Sequence, residues 1–118
     1  MLALSLVIVN YNTAKYLRKC VQSISESDID LNQIEIIIVD NASSDSSIKQ
    51  LEDFIDSGEC VFSIKIINNR YNLGFSKSVN IGIRQTDSKY VCILNPDTYL
   101  AFDSLIPILT DLEKPKLF

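Results

Sequence analysis

The stretch ALSLVIV at residues 3–9 is a continuous apolar run of strand length, closed by the polar residues Asn10, Tyr11, Asn12 and Thr13. The same form returns as IEIIIV at residues 34–39, closed by Asp40 and Asn41. Runs without polar alternation suit strands covered on both faces, as in a parallel sheet with helices above and below. Between the two runs the apolar spacing changes. Leu17, Cys20, Val21 and Ile24 fall at i, i+3, i+4 and i+7, one face of a helix that Thr13 is placed to cap.

The alternation continues along the chain. Ser43, Ser44 and Asp45 offer caps for a second helix with Ile48, Leu51, Phe54 and Ile55 inward and Gly58 as its stop. VFSIKII at residues 61–67 reads as a third strand, residues 68–73 as a loop, and residues 74–85 as a helix with Phe75, Val79 and Ile83 at helical spacing. YVCIL at residues 90–94 is a fourth strand, and residues 103–113 form a last helix that Pro107 bends or delays. Strand and helix alternating four times predict an α/β fold, a Rossmann-like, mostly parallel sheet with helices on both faces. Right-handed crossovers give the order 3-2-1-4, with the reversal between strands 1 and 4. Ligands in such sheets bind outside the carboxyl ends of the strands at that reversal.

Composition narrows the chemistry. With 118 residues and 47% hydrophobic content, the chain has the makings of one folded domain with a core of its own. Eleven Lys and Arg against 15 Asp and Glu give a net charge of −4, with no basic cluster to follow a row of phosphates, so no nucleic-acid partner is expected. Histidine is absent, which removes Ser-His-Asp and Cys-His catalysis and mixed Cys/His zinc sites. Cys20, Cys60 and Cys92 are widely spaced and form no CxxC, pointing to a reducing, cytoplasmic setting rather than a disulfide framework. No apolar run is long enough for a transmembrane segment, and the apolar start lacks the marks of a signal peptide.

The strand ends carry the candidate site. Gly58, Gly74 and Gly82 are the only glycines, so no GxGxxG or GxxxxGK[ST] loop can be written. A diphosphate held here needs a divalent cation, and Asp97, within Asn95-Pro96-Asp97-Thr98 after strand 4, is placed to bind one, although the same residues also make an ordinary turn. Asp40 has capping neighbours in Ser43, Ser44 and Asp45, which frees its carboxylate to accept the imide N–H of uracil or thymine, or the N1/N2 pair of guanine. Tyr11 offers an aromatic face for the base. Phe75, Tyr16 and Leu17 are expected in the core.

Taken together, LVIVNYN, IIIVDNASSD, NLGFSKSVNIG and YVCILNPDT resemble the amino-terminal half of a family 2 inverting glycosyltransferase of the GT-A fold, especially its rhamnosyltransferase-like branch. The resemblance runs from about Leu4 to about Leu112. It implies that residues 1–118 form a single nucleotide-sugar-binding domain, truncated relative to a complete GT-A domain. It further implies that Asn10, Tyr11 and Asn12 line the nucleoside pocket and that Asp40, with Asn41 beside it, holds the base. Asn72, Gly74, Phe75 and Asn80 would form the loop and helix start beside the nucleotide. Asn95-Pro96-Asp97 would stand for the DxD motif, with Asn95 at the nucleotide and Asp97 as ligand of Mn2+ or Mg2+. No catalytic base is assigned: the family's carboxylate base falls beyond the matching motifs, and Asp103 and Asp111 read as cap and solvated face. The expected activity is transfer from a UDP- or dTDP-sugar to a saccharide or lipid-linked acceptor, in the cytoplasm or at the inner face of the membrane. The rival reading is a non-catalytic nucleotide-binding or assembly module. In either case a missing half would leave an apolar sheet edge prone to self-association, so a homo-oligomer is among the expected partners.

Overall fold

Four strands form the sheet in a computed structural model that describes residues 2–60 and 62–114. They are β1 (Leu4–Asn10), β2 (Ile34–Asp40), β3 (Ser63–Asn68) and β4 (Tyr90–Leu94), in the order β3-β2-β1-β4 and parallel throughout. The expected order and helix alternation are those observed. The helices are α1 (Leu17–Ser25), α2 (Ser47–Asp56), α3 (Phe75–Arg84) and α4 (Leu105–Glu113), with a short 3-10 turn at Leu31–Gln33 before β2. The third strand begins at Ser63 and runs on to Asn68; Val61, expected within it, lies outside the described residues.

The central strands owe their apolar character to cover on both faces. Leu4, Leu6 and Ile8 of β1 and Ile34, Ile36 and Ile38 of β2 pack with Leu17, Cys20, Val21 and Ile24 of α1, Leu51 and Phe54 of α2 and Leu105 of α4. Val7, Ile37 and Val39 point the other way, against Ile81 of α3. The edge strands alternate in exposure, β4 throughout and β3 from Ser63 to Ile66, because each has cover mainly on one side. Val91 and Ile93 of β4 stay 37% and 39% exposed, and among the described residues β4 pairs with β1 alone.

Helix α3 departs from the expected face. Ser78 and Gly82, not Phe75, Val79 and Ile83, are its buried residues, and Phe75 is 55% exposed. The reason is closeness to the sheet: a Cβ on Gly82 would lie 2.5 Å from Val7 Cγ1 and 3.2 Å from Val39 Cγ2. Small residues therefore face the strands, and the larger ones turn outward. Leu17 is in the core as expected, but Tyr16 is exposed one residue before α1 begins. Thr13 does not cap α1 with its side chain; its backbone carbonyl accepts from the Tyr16 and Leu17 N–H groups. In α4, Pro107 is the third residue, where no intrahelical donor is required, so it delays the helix start to Leu105 without interrupting it.

A second polar cluster closes the opposite end of the sheet. Glu35 is buried in β2, accepts the Ser5 hydroxyl at 2.9 Å and faces Lys65 Nζ at 3.6 Å. Ser5 also meets the hydroxyls of Thr86 and Ser88, which fastens the connection from α3 to β4 under β1.

Candidate functional site

Strand register sets the site level. Asn10 pairs with Asp40 and Asp40 with Asn68, so three polar residues end β1, β2 and β3 side by side. Ile8 pairs with Leu94, which brings the residues after β4 to the same end.

Asn10 is buried and fully engaged. Its Nδ2 donates to Asp40 Oδ1 and Ser47 Oγ, each at 2.8 Å, and lies 3.3 Å from Ser43 Oγ; its Oδ1 accepts the Thr13 hydroxyl. Asp40 is 5% exposed. Its Oδ1 accepts from Asn10 and from Ser43 Oγ at 2.7 Å, and its Oδ2 from Ser43 N–H at 3.0 Å. The expectation that neighbouring caps free Asp40 needs correction: Ser43 spends its hydroxyl and amide on Asp40 itself. Asp45 serves the start of α2 instead, accepting from Ser47 N–H at 3.1 Å and Ser47 Oγ at 2.6 Å. Slight desolvation works to raise the exposed Asp45 carboxyl, but the bonds from Ser47 and from the Ala14 N–H outweigh it and hold it below its ordinary value.

Asn12 ties the β1 loop to the β2 loop. In the left-handed region at φ 52°, it accepts from Ser44 N–H at 2.8 Å, while its own N–H donates to Ser43 Oγ at 2.9 Å. Ala42 is also left-handed, at φ 60°, a conformation that an alanine holds only where its surroundings enforce it. Asn41 is the matching buried hub on the other side. Its Oδ1 accepts from Ser78 Oγ at 2.6 Å, Asn69 Nδ2 at 2.9 Å and Leu73 N–H at 3.3 Å, holding the loop that leads into α3. Gly74, at φ 82°, makes the turn into the helix, and its N–H donates to Asn72 Oδ1 at 2.9 Å.

The anticipated residues therefore fall into two sets. Asn10, Asp40 and Asn41 lie at or behind the surface as a buried frame, while Tyr11, Asn12, Asn72, Gly74, Phe75, Asn95 and Asp97 are exposed. Asn80 sits apart, in a shallow groove of about 210 Å3 along α3 with Leu73, Lys77, Ile81 and Arg84. Ser47, Asn69 and Ser78, which hold the frame, have no mark in the sequence beyond being small and polar.

Asp97 lies at the reversal between β1 and β4, in a cleft of about 220 Å3 between the start of α1 and residues 96–99. Lys15, Tyr16, Lys19 and Cys20 form its other wall. Among the described residues the Asp97 carboxylate takes no hydrogen bond and no ion pair. Burial, helped by the charge of Asp97, pushes the Cys20 thiol up from 9.0 to about 11, so it stays protonated and unreactive near neutrality. Among the described residues no three Cys, Asp or Glu side chains gather as a ready metal cage.

The parallel sheet in the order β3-β2-β1-β4, with helices on both faces, is that of a GT-A-type fold. Solved structures share it, among them the following two. Staphylococcus aureus TarS 1-349 in complex with UDP superposes with a TM-score of 0.84 at 20% identity, covering 95% of this chain and 32% of that one. The mannosyltransferase PcManGT from Pyrobaculum calidifontis, in complex with GDP-Man and Mn2+, gives 0.88 at 20% identity with the same coverage. An uncharacterized glycosyltransferase of Haemophilus influenzae is 32% identical over 110 residues, covering 93% of this chain and 32% of the relative. The chain belongs to glycosyl transferase family 2, whose profile matches residues 5–117. It spans about a third of the length of these proteins. Among the described residues no helix is long and apolar enough to cross a membrane.

Proposed function

We propose that this chain is the donor-binding part of a glycosyltransferase moving a sugar from a UDP- or dTDP-sugar to a saccharide or lipid-linked acceptor. The observation that carries this reading is the Asp97 carboxylate at the β1/β4 reversal, which has no hydrogen bond or ion pair among the described residues, on the sheet end where Asp40 closes β2. An ionised carboxylate offers about four acceptor positions, and Asp40 has three bonds, so one remains for a base imide N–H. Tyr11 offers a half-exposed ring for the base to stack on. Asn10 and Asn41 act as positioning residues, the first holding Asp40 and the second the loop through Asn72, Gly74 and Phe75. The LNPDT form after β4 supports the rhamnosyltransferase-like branch, in which the exposed Asn95 would face the nucleotide.

Asp97 suits Mn2+ or Mg2+, since such an ion needs only one or two protein carboxylates when substrate phosphates complete its coordination. When bound, that ion neutralises charge on the leaving diphosphate. Transfer by single displacement needs a general base for the acceptor hydroxyl, and no residue of this chain is assigned that task. A cytoplasmic setting fits the free thiols Cys20, Cys60 and Cys92. The β4 edge, which takes no second strand among the described residues, is with Val91 and Ile93 the surface through which copies of the chain would associate.

Calorimetry with UDP, dTDP and GDP tests the reading, using Tyr11→Ala because its exposed ring can be removed without disturbing the core. UDP or dTDP is expected to bind, and loss of the stacking face to weaken it by about 1–3 kcal/mol. Failure of all three nucleotides to bind in the presence of Mn2+ contradicts it.

A further inference from the structure

A helix cap needs one acceptor oxygen, and Asp45 uses both of its own. Its Oδ1 serves the start of α2, accepting the Ser47 N–H at 3.1 Å and the Ser47 hydroxyl at 2.6 Å. Its Oδ2 crosses to the loop between β1 and α1 and accepts the Ala14 N–H at 2.9 Å, from a residue 31 positions earlier in the chain. Capping α2 does not call for that second bond. The β1 loop returns the contact, because Asn12 Oδ1 accepts from Ser44 N–H at 2.8 Å and from Asp45 N–H at 3.3 Å. One side chain from each loop thus holds the backbone of the other. Ser47 Oγ also accepts from Asn10 Nδ2 at 2.8 Å, so Asp45, Ser47 and Asn10 form one line of hydrogen bonds that ends on Asp40.

Tyr11 sits inside the segment that this exchange pins. Asn10 before it and Asn12 and Ala14 after it are all held, whereas its own side chain takes no hydrogen bond among the described residues and the residue is 49% exposed. A ring without anchors of its own is aimed by the backbone that carries it. We propose that Asp45 is a positioning residue for nucleotide recognition: by tying the Ala14 N–H to the start of α2, it fixes residues 10–14 and with them the direction of the Tyr11 ring. The inference rests on the reading of Tyr11 as the face on which the base stacks. A ring aimed in advance loses less freedom on binding than one on a loose loop, so releasing the loop weakens binding although the ring itself is still present. A carboxylate suits the task because it accepts on two oxygens and donates from neither. Serine in its place has a single oxygen, which can stay on the Ser47 N–H but cannot also span to Ala14.

The test compares Asp45→Ser, which keeps a cap of comparable strength on α2 and loses the bond to Ala14, with Asp45→Ala, which loses both. In the free chain, 15N relaxation should give order parameters of about 0.85 at residues 11–14 of the parent and below about 0.6 there in both variants. UDP affinity, read by calorimetry in the presence of Mn2+, should fall by about tenfold in both variants, no more than removal of the stacking ring itself would cost. The urea midpoint should drop clearly in Asp45→Ala alone. On a Tyr11→Ala background, Asp45→Ser should weaken UDP by less than about twofold further, because Asp45 acts through that ring. Unchanged order at Tyr11 in Asp45→Ser, an affinity loss confined to Asp45→Ala, or an undiminished loss on the Tyr11→Ala background overturns the proposal and leaves Asp45 a helix cap. A parent chain that binds no UDP, while Asp45→Ser still loosens residues 11–14, contradicts the nucleotide reading and upholds the loop clamp, so the two failures give different results.

Discussion

Asn10 Nδ2 donates to Asp40 Oδ1 at 2.8 Å, across the ends of neighbouring strands that the sheet register holds level. One buried amide thereby fixes the carboxylate assigned to base recognition, and through Ser47 it also fixes the start of α2. The recognition proposed for this site is therefore coupled to the stability of the sheet end.

Asn10→Ala is expected to destabilise the chain by about 1–3 kcal/mol, because Asp40 and Ser47 each lose a donor in a buried setting. Asp40→Asn should destabilise it by a similar amount, since its new amide would face the Asn10 and Ser43 donors, and it should weaken nucleotide binding as well. Urea unfolding monitored by far-UV circular dichroism reads both. Two variants as stable as the parent would show that this network does not support the fold.

Gly82→Ala places a methyl group 2.5 Å from Val7 Cγ1, so either the buried Val7 side chain or α3 must shift. Overpacking of this kind costs about 1–3 kcal/mol. A lower denaturation midpoint is expected, together with altered amide shifts in residues 72–75, because Asn41 ties that loop to Ser78 on the same helix. Gly58→Ala is the control for loss of a positive φ without a clash, as open space surrounds that position.

Cys20 links the core to Asp97 through pH. Its folded thiol is raised to about 11 by burial and then by the Asp97 charge, above the ordinary 9.0. The folded state thus disfavours the thiolate. The corresponding stability is complete below pH 9 and is lost as pH rises through 9 toward 11. Alkylation of Cys20 in the native state should be slow at pH 8, and Asp97→Asn should lower the Cys20 pKa only partway, because burial remains. Rapid native-state alkylation at pH 8 contradicts this account.

Much of this arrangement was legible because it rests on periodicity. The two apolar runs ending at Asn10 and Asp40 fix the buried strands, and four alternations fix a parallel sheet with its reversal beside Asp97. What escaped detection depends on distance between elements. Nothing in the spacing of Phe75, Val79 and Ile83 says that α3 lies so close to Val7 that only Ser78 and Gly82 fit beneath it. Equally, Ser43 reads as a helix cap until the fold shows its hydroxyl on Asp40.

The most direct test of the nucleotide site is paramagnetic broadening by Mn2+ in the presence of UDP, compared between the chain and its Asp97→Ala variant by amide NMR. The account predicts UDP-dependent broadening centred on residues 95–98 and reaching Tyr11 and Asp40, sparing Ser5, Thr86 and Ser88 at the other end of the sheet. It also predicts that Asp97→Ala removes the broadening while the remaining spectrum stays folded. Equal broadening in both proteins, or broadening centred on the Glu35 end, would contradict the assignment of Asp97 and with it the placement of the donor.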